Sequence, residues 1–186
     1  MTPEPPSGLD WLRAFDAECQ RALAIDDRSR WLVCAHAAYE SGWGTSFAFR
    51  HALNPFNITA GPYWHGGTVV QANGDTEYTP DGKYVGRITQ TWRMYPTVDA
   101  ALEDYWSLLG WPRYLPARDA LERGDVEIFA HFLGPTAGKD WRGNPLGGFY
   151  TLPEKAYAAG LGQAFQRVTA VLRPPDPAST PPLNAA

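Results

Sequence analysis

The stretch that most limits what this chain can fold into is residues 27–41, DRSRWLVCAHAAYES. After one charged turn it is almost uninterruptedly apolar from Trp31 to Tyr39, and it is too long and too rich in alanine for a strand. The pattern predicts a buried α-helix, one that other elements must surround. Asp27 carries a side chain able to cap the free N–H groups of the first turn, and Gly42 and Gly44 supply the positive φ that a helix stop needs. In 186 residues, 44% of them hydrophobic, one domain can enclose such a helix with no metal or disulfide staple.

The rest of the chain supplies the enclosure. Leu12, Phe15, Cys19, Ala22 and Leu23 recur at spacings of three and four, which predicts a first helix over 9–25. From Asn57 to Tyr95 the pattern changes to β-branched and aromatic residues broken by glycines. TPDGK at 79–83 is the strongest turn signal in the chain, so 68–78 and 84–94 are expected as the arms of a hairpin. Period-two alternation then puts Asp75 and Glu77 on one face and Thr76 and Tyr78 on the other. Helices return after Thr97 and Asp125, both good caps; 118–123 reads as a short turn ended by Gly124, and 153–172 as a last helix striped by Leu161, Phe165, Val168 and Leu172. The expected class is α+β, a helical domain with an inserted β-hairpin lobe. Residues 1–8 and 173–186 hold eight of the seventeen prolines, so the domain is expected over 9–172, between an N-terminal tail (1–8) and a Pro-rich C-terminal tail (173–186).

Composition removes several function classes. Sixteen Lys and Arg against twenty Asp and Glu leave a net charge of −4, which gives no general attraction to nucleic acid or anionic lipid. No apolar stretch approaches the length of a membrane span, and the start MTPEPPSG has neither the basic charge nor the apolar run of a secretory signal peptide. Cys19 and Cys34 are too few for a disulfide framework; two buried thiols are favoured over one bridge between the first two helices. His36, His51, His65 and His131 show no metal-ligand spacing, so neither metal nor cofactor is expected. Eight Trp, nine Tyr and eight Phe suit either an aromatic core or flat faces for sugar rings.

Glu40 does not fit its surroundings, because it ends a helix that is otherwise mainly apolar. An ionised carboxylate is costly against apolar walls, so a glutamate there favours its protonated form and can serve as a general acid; by itself Glu40 also fits a helix-end carboxylate facing water. The segment around it is more specific. AAYESGWGTSFAFRHALNPFNI, residues 37–58, resembles the signature of glycoside hydrolase family 73, bacterial N-acetylglucosaminidases that cut peptidoglycan, the wall-cutting domain of flagellar rod-cap proteins among them. Glu40, Ser41, Gly42, Trp43, Gly44, Ser46, Asn54, Phe56 and Ile58 stand where that signature has its fixed residues, and weaker likeness runs through Trp64, Gly66, Glu77, RMYPTVDAALEDYWSLL, Arg113 with Tyr114, and FYTLPEKAY.

The resemblance implies a lysozyme-like scaffold and a hydrolase that breaks the β-1,4 bond after N-acetylglucosamine. It places the catalytic acid on Glu40, the acidic hairpin residue on Glu77 and a helper tyrosine on Tyr150, with Tyr157 as the competing choice because 149–153 departs from the family pattern. Trp43, Trp64, Tyr78 and Asn54 are the expected substrate-binding residues, with a core plug as the other reading of Trp43. His36, one helical turn before Glu40, either touches the catalytic carboxylate or is a satisfied core imidazole, the second being favoured; Asp104 and Tyr105 read as scaffold. On chemical grounds alone, glycosidic cleavage asks for two carboxylates flanking the bond, which Glu40 on a helix end and Glu77 on a hairpin could supply. Expected partners are peptidoglycan glycan strands met by a monomer at the cell wall, in periplasm or outside the cell, with delivery of the phage-endolysin or injected-effector type. The rivals are a lytic transglycosylase or muramidase on the same scaffold and a noncatalytic wall-binding or phage-structural module.

Overall fold

A computed structural model describes residues 8–78, 83–134 and 154–174, and for 73–78 the backbone only. The long apolar stretch forms α2, Asp27–Ser41, with Leu32, Val33, Cys34, Ala35, Ala37 and Ala38 all at 0% exposure. Its N-cap is Asp26 rather than Asp27. Asp26 has the extended backbone a cap requires and accepts from the N–H groups of Arg28 and Ser29, whereas Asp27 lies inside the first turn and pairs with Arg30 at 2.7 Å. At the other end Gly42 adopts φ +56°, and the Trp43 and Gly42 N–H groups return to the carbonyls of Ala38 and Tyr39, a Schellman closure.

Around α2 pack α1 (Gly8–Ala22), α5 (Leu115–Glu122) and α7 (Glu154–Leu172), while α4 (Val98–Leu109) lies against α1, and α6 (Val126–Leu133) joins α5 to α7. The fold is mostly helical with a small antiparallel sheet, the lysozyme-like α+β arrangement expected. Trp11, Leu12, Phe15 and Cys19 form the buried face of α1, and Thr97 and Asp125 cap α4 and α6 through Ala100 and Ile128 N–H groups. Helix α5 starts three residues earlier than the short turn expected, because Tyr114 and Ala117 bury alongside Leu121 and carry the helix back to Leu115. On α7 the buried stripe is Tyr157, Leu161, Ala164 and Val168, with Phe165 and Leu172 at its margin. Helices α2 and α7 approach closely at Gly160, where a Cβ would sit 2.4 Å from Tyr39 Cε2. Cys19 and Cys34 are buried free thiols, 3.9 Å apart across the α1–α2 contact.

A helix absent from the sequence reading, α3 (Phe47–Ala52), follows the α2 turn, capped by Ser46 on the Phe49 N–H. It is one and a half turns long and ends at Leu53 with φ +49°, with no glycine to announce the stop. The hairpin consists of β1 (Gly67–Tyr78) and β2 (Tyr84–Met94), antiparallel, with register breaks between Gln71 and Asp75 and between Glu77 and Tyr78. Its arms are those expected to within one residue, and the turn at 79–82 lies outside the described residues. The base of the hairpin is anchored: Trp92 is buried, Thr59 bridges to it, and Arg93 N–H reaches Ile58 O. Helix α1 begins at Gly8, one residue inside the expected N-terminal tail; residues 1–7 and 175–186 lie outside the description.

Candidate active site

Glu40 sits in the last turn of α2 with its side chain 12% exposed, so it is neither immersed in the core nor turned into bulk water. The Tyr157 hydroxyl, from α7, donates to Oε1 at 2.6 Å, and the Asn57 amide donates to the Glu40 carbonyl at 2.7 Å and to Oε2 at 3.4 Å. Behind Tyr157 lies His36, at 0% exposure, with Nε2 2.9 Å from the Tyr157 hydroxyl, Nδ1 2.9 Å from the Tyr105 hydroxyl and Nε2 3.6 Å from Glu40 Oε1. His36 therefore combines both readings offered by the sequence: a satisfied core imidazole that also stands beside the carboxylate. Phe56 stacks on Tyr105 with ring centroids 3.8 Å apart, and Phe129 meets the imidazole edge-on at 5.4 Å, which fixes the histidine ring from two sides. Burial first, and the Glu40 charge second, push the phenols of Tyr157 and Tyr105 well above the ordinary tyrosine range; Tyr39 is raised for the same two reasons. Both inner tyrosines consequently remain hydroxyl donors at any physiological pH.

The turn after Glu40 is built by short polar side chains. Ser41 Oγ accepts from the Gly44 N–H at 2.9 Å, and Ser46 starts α3. Asn54, expected among the substrate-binding residues, is instead fully buried. Its Oδ1 accepts from Ile58 N–H at 3.0 Å, and its Nδ2 donates to the carbonyls of Ile58 at 2.8 Å and Arg93 at 3.0 Å, so every polar atom of the side chain is spent on backbone. The effect is to close loop 54–58 onto β2 and hold Asn57, at φ +50°, against Glu40.

Trp43, half-buried, has Gly8 at one side and the Arg167 guanidinium 4.5 Å above its ring. Trp64 is half-buried at the hairpin base, its indole N–H donating to Gly67 O at 2.8 Å, Arg93 over one face at 4.8 Å and Tyr95 at its edge. Arg93 in turn makes a two-oxygen pair with Asp104, which also accepts from the Tyr95 hydroxyl at 2.6 Å, so Asp104 and Tyr105 are scaffold, as the sequence suggested. Tyr63, next to Trp64, is 84% exposed and had no sequence signal beyond its residue type.

Residues 18–161 match the family described as mannosyl-glycoprotein endo-beta-N-acetylglucosaminidase. The chain belongs to this glucosaminidase family, glycoside hydrolase family 73. It is thus a glycoside hydrolase. Among solved structures, this glucosaminidase domain is 26% identical to a peptidoglycan hydrolase mutant from Sphingomonas sp. A1, with a TM-score of 0.64 over 89% of this chain and 97% of that one. It is 25% identical to a C-terminally truncated glycoside hydrolase domain of Salmonella typhimurium FlgJ, with a TM-score of 0.58 over 88% and 99%. The catalytic domain of the autolysin Auto from Listeria monocytogenes shares the fold at 18% identity, TM-score 0.57, over 91% and 90%. No curated protein matches the chain.

Within the glucosaminidase domain, Glu77 lies on β1 opposite Gly86 and Tyr78 opposite Tyr84, with their side chains outside the description; Tyr150 lies outside the described residues altogether. Two residues touching Glu40 carried weak signals or none. Tyr157 is the competing choice to Tyr150 in the sequence, and the stripe read there for the last helix, Leu161, Phe165, Val168 and Leu172, does not include it; the structure adds it to the buried face of α7. Asn57 enters the sequence analysis only as the start of the β-patterned segment, although asparagine is among the non-glycine residues that more readily take positive φ. Among the described residues no three His, Cys, Asp or Glu side chains gather as a metal site would need, and no helix is long and apolar enough to cross a membrane.

Proposed function

We propose that this glycoside hydrolase acts on peptidoglycan, cleaving the β-1,4 bond after N-acetylglucosamine, with Glu40 as general acid. The observation that carries the reading is the setting of Glu40: a carboxyl 12% exposed at a helix end, steadied by the Tyr157 hydroxyl and the Asn57 amide on opposite oxygens. Such a group is rigid enough to address one bridging oxygen and open enough to reach it. In the proposed step the Glu40 proton passes to the glycosidic oxygen as the sugar C1–O bond breaks, and the Glu77 carboxylate activates water or steadies the oxocarbenium-like centre. Tyr150 is the proposed helper to the acetamido group or water. Trp64, just before β1, and Tyr78, at its far end, are proposed to line the glycan path. The domain boundaries expected from composition, 9–172 with a tail on each side, frame this proposal, and its place of action is the bacterial cell wall.

The peptidoglycan hydrolase among the similar structures supports the substrate class, as does the match of the Glu40 turn to the family signature. The test is digestion of purified walls by the wild type and by Glu40→Gln, followed by analysis of the new ends. N-acetylglucosamine at the new reducing ends, lost with Glu40→Gln, is the expected result. Anhydro-muramic ends or muramic acid at the reducing ends would overturn the bond assignment in favour of a transglycosylase or muramidase. Equal clearing by both proteins would remove Glu40 from the mechanism, and clearing by neither on several walls would favour a binding module.

A further inference from the structure

We propose that Asn57 binds substrate: its side-chain Oδ1 accepts a hydrogen bond from the acetamido N–H of the amino sugar whose C1–O bond is cleaved beside Glu40. The inference rests on the reading of Glu40 as general acid and extends it to what recognises the sugar at that bond.

The Asn57 amide has one orientation. A side-chain atom lies 2.7 Å from the Glu40 carbonyl oxygen, and a backbone carbonyl only accepts, so that atom is Nδ2 whatever the protonation of the Glu40 carboxyl. The same nitrogen stands 3.4 Å from Glu40 Oε2, an oxygen that keeps a lone pair for it in either protonation state. Both hydrogens of the amide are thus turned to Glu40, while the acceptor Oδ1 has no partner among the described residues. Among those residues, Trp31 Nε1 is the only buried side-chain polar atom without a partner, and Asn57 is half-buried, so its Oδ1 is open to solvent.

Open to solvent and beside the acid, Oδ1 is where a sugar arrives. In a planar amide Oδ1 is about 2.3 Å from Nδ2, which puts it at most about 5.7 Å from Oε2. When Glu40 meets the bridging oxygen, the sugar being cleaved lies against the same surface, and its acetamido group is carried on C2, bonded directly to the C1 that loses the bridge. An amide N–H can only donate, so it needs an acceptor of this kind. The loop presents Oδ1 in one pose, because Asn54 holds the N–H and carbonyl of Ile58 at 3.0 and 2.8 Å and residue 57 has φ +50°. Glycine would take that φ and bring no acceptor, and aspartate would turn a charged oxygen onto the Glu40 carbonyl. Asparagine supplies the left-handed residue, the donor to Glu40 and an unspent acceptor in one side chain.

The experiment compares the wild type with Asn57→Gly on soluble glycan strands freed of their peptides. Glycine accepts φ +50° without strain, so the amide is removed and the path of the loop is kept. The expected result is a KM raised about three- to tenfold, the size of one lost neutral hydrogen bond, and inhibition by the N-acetylglucosamine-ended product weakened by the same factor. An unchanged KM with unchanged product inhibition would overturn the proposal even if kcat fell, because a residue that only steadies Glu40 acts on kcat. The same product ending in 2-deoxyglucose, which lacks the acetamido group, is expected to inhibit both proteins equally. A weakening of full size with that compound would give Oδ1 to a hydroxyl and overturn the acetamido assignment. In the unsubstituted protein, the side-chain amide signals of Asn57 in ¹H–¹⁵N NMR are expected to move as the N-acetylglucosamine-ended product saturates; signals that stay in place while that product inhibits would overturn the proposal too. N-acetylglucosamine ends beside a wild-type KM in Asn57→Gly would sink this inference alone, whereas full activity in Glu40→Gln would remove the general-acid reading under it.

Discussion

Replacing Asn54 by alanine separates a structural asparagine from a sugar-binding one. The side chain makes three hydrogen bonds to backbone at 2.8–3.0 Å and is 0% exposed, so truncation strips two carbonyls of a donor and leaves the Ile58 N–H buried without an acceptor. Lost bonds of this kind cost about 1 kcal/mol each and an orphaned buried donor about 1–3 kcal/mol, which together give a loss of about 3–5 kcal/mol. For a chain of this size that lowers Tm by about 6–20 °C at about 2–4 °C per kcal/mol. Urea denaturation with an unchanged m-value, read beside thermal unfolding, measures the loss. Where the variant is still folded, kcat should fall modestly, since Asn57 is no longer held on Glu40. A variant of wild-type stability with a raised KM would refute the reasoning, because it would mean that the amide faces the glycan and the loop closes without it.

Three further outcomes follow from the same packing. Asp26 accepts from Ser29 Oγ at 2.6 Å and from two N–H groups, and these bonds, the Ser29 hydroxyl first, hold its carboxyl below the usual aspartate range. Its folded-state value being lowered, its contribution is present above the ordinary aspartate range and lost as pH falls through it. The stability gap between wild type and Asp26→Ala should close in acid, while Asp26→Asn, still a cap, should show no such pH dependence relative to Asp26→Ala; parallel pH-stability curves for all three would refute the assignment. Tyr95, Tyr105 and Tyr157 are raised by burial first and by Asp104 or Glu40 next, so stability should be full below the ordinary tyrosine range and drop as pH rises past it. Their phenolate absorbance should then appear only together with loss of tertiary circular dichroism, and smooth titration of every tyrosine in a folded protein would contradict the buried triad. Gly160→Ala should destabilise by about 1–2 kcal/mol in urea despite the better helix propensity of alanine, because its Cβ would meet Tyr39 at 2.4 Å; a stabilised variant would show that α2 and α7 do not approach as described.

How much of this was legible in sequence depends on the range of the interaction. The α2 boundaries, the hairpin arms and the caps at Thr97 and Asp125 come from periodicity and from contacts within four residues, and they stand as read. The short helix α3 and the Asp26 cap depend on one-residue backbone choices that neighbouring residue types leave open. Asn54 was placed in the binding site because it belongs to a motif, yet motif membership does not say whether a side chain faces solvent or backbone. Its three acceptors and donors come from loop 54–58 and from β2, some 40 positions away.

The sequence by itself determined that one apolar helix would be enclosed by others and would end in a lone glutamate followed by a glycine stop, because burial of an apolar helix and the left-handed residue that ends it are local requirements. It also carried the family, through residues that shape the Glu40 turn. Only the tertiary structure decided what surrounds that glutamate. Tyr157 arrives from 117 positions away and Tyr105 meets His36 across 69, and pairings of that kind are set by how α2, α4 and α7 pack, which no spacing along the chain encodes.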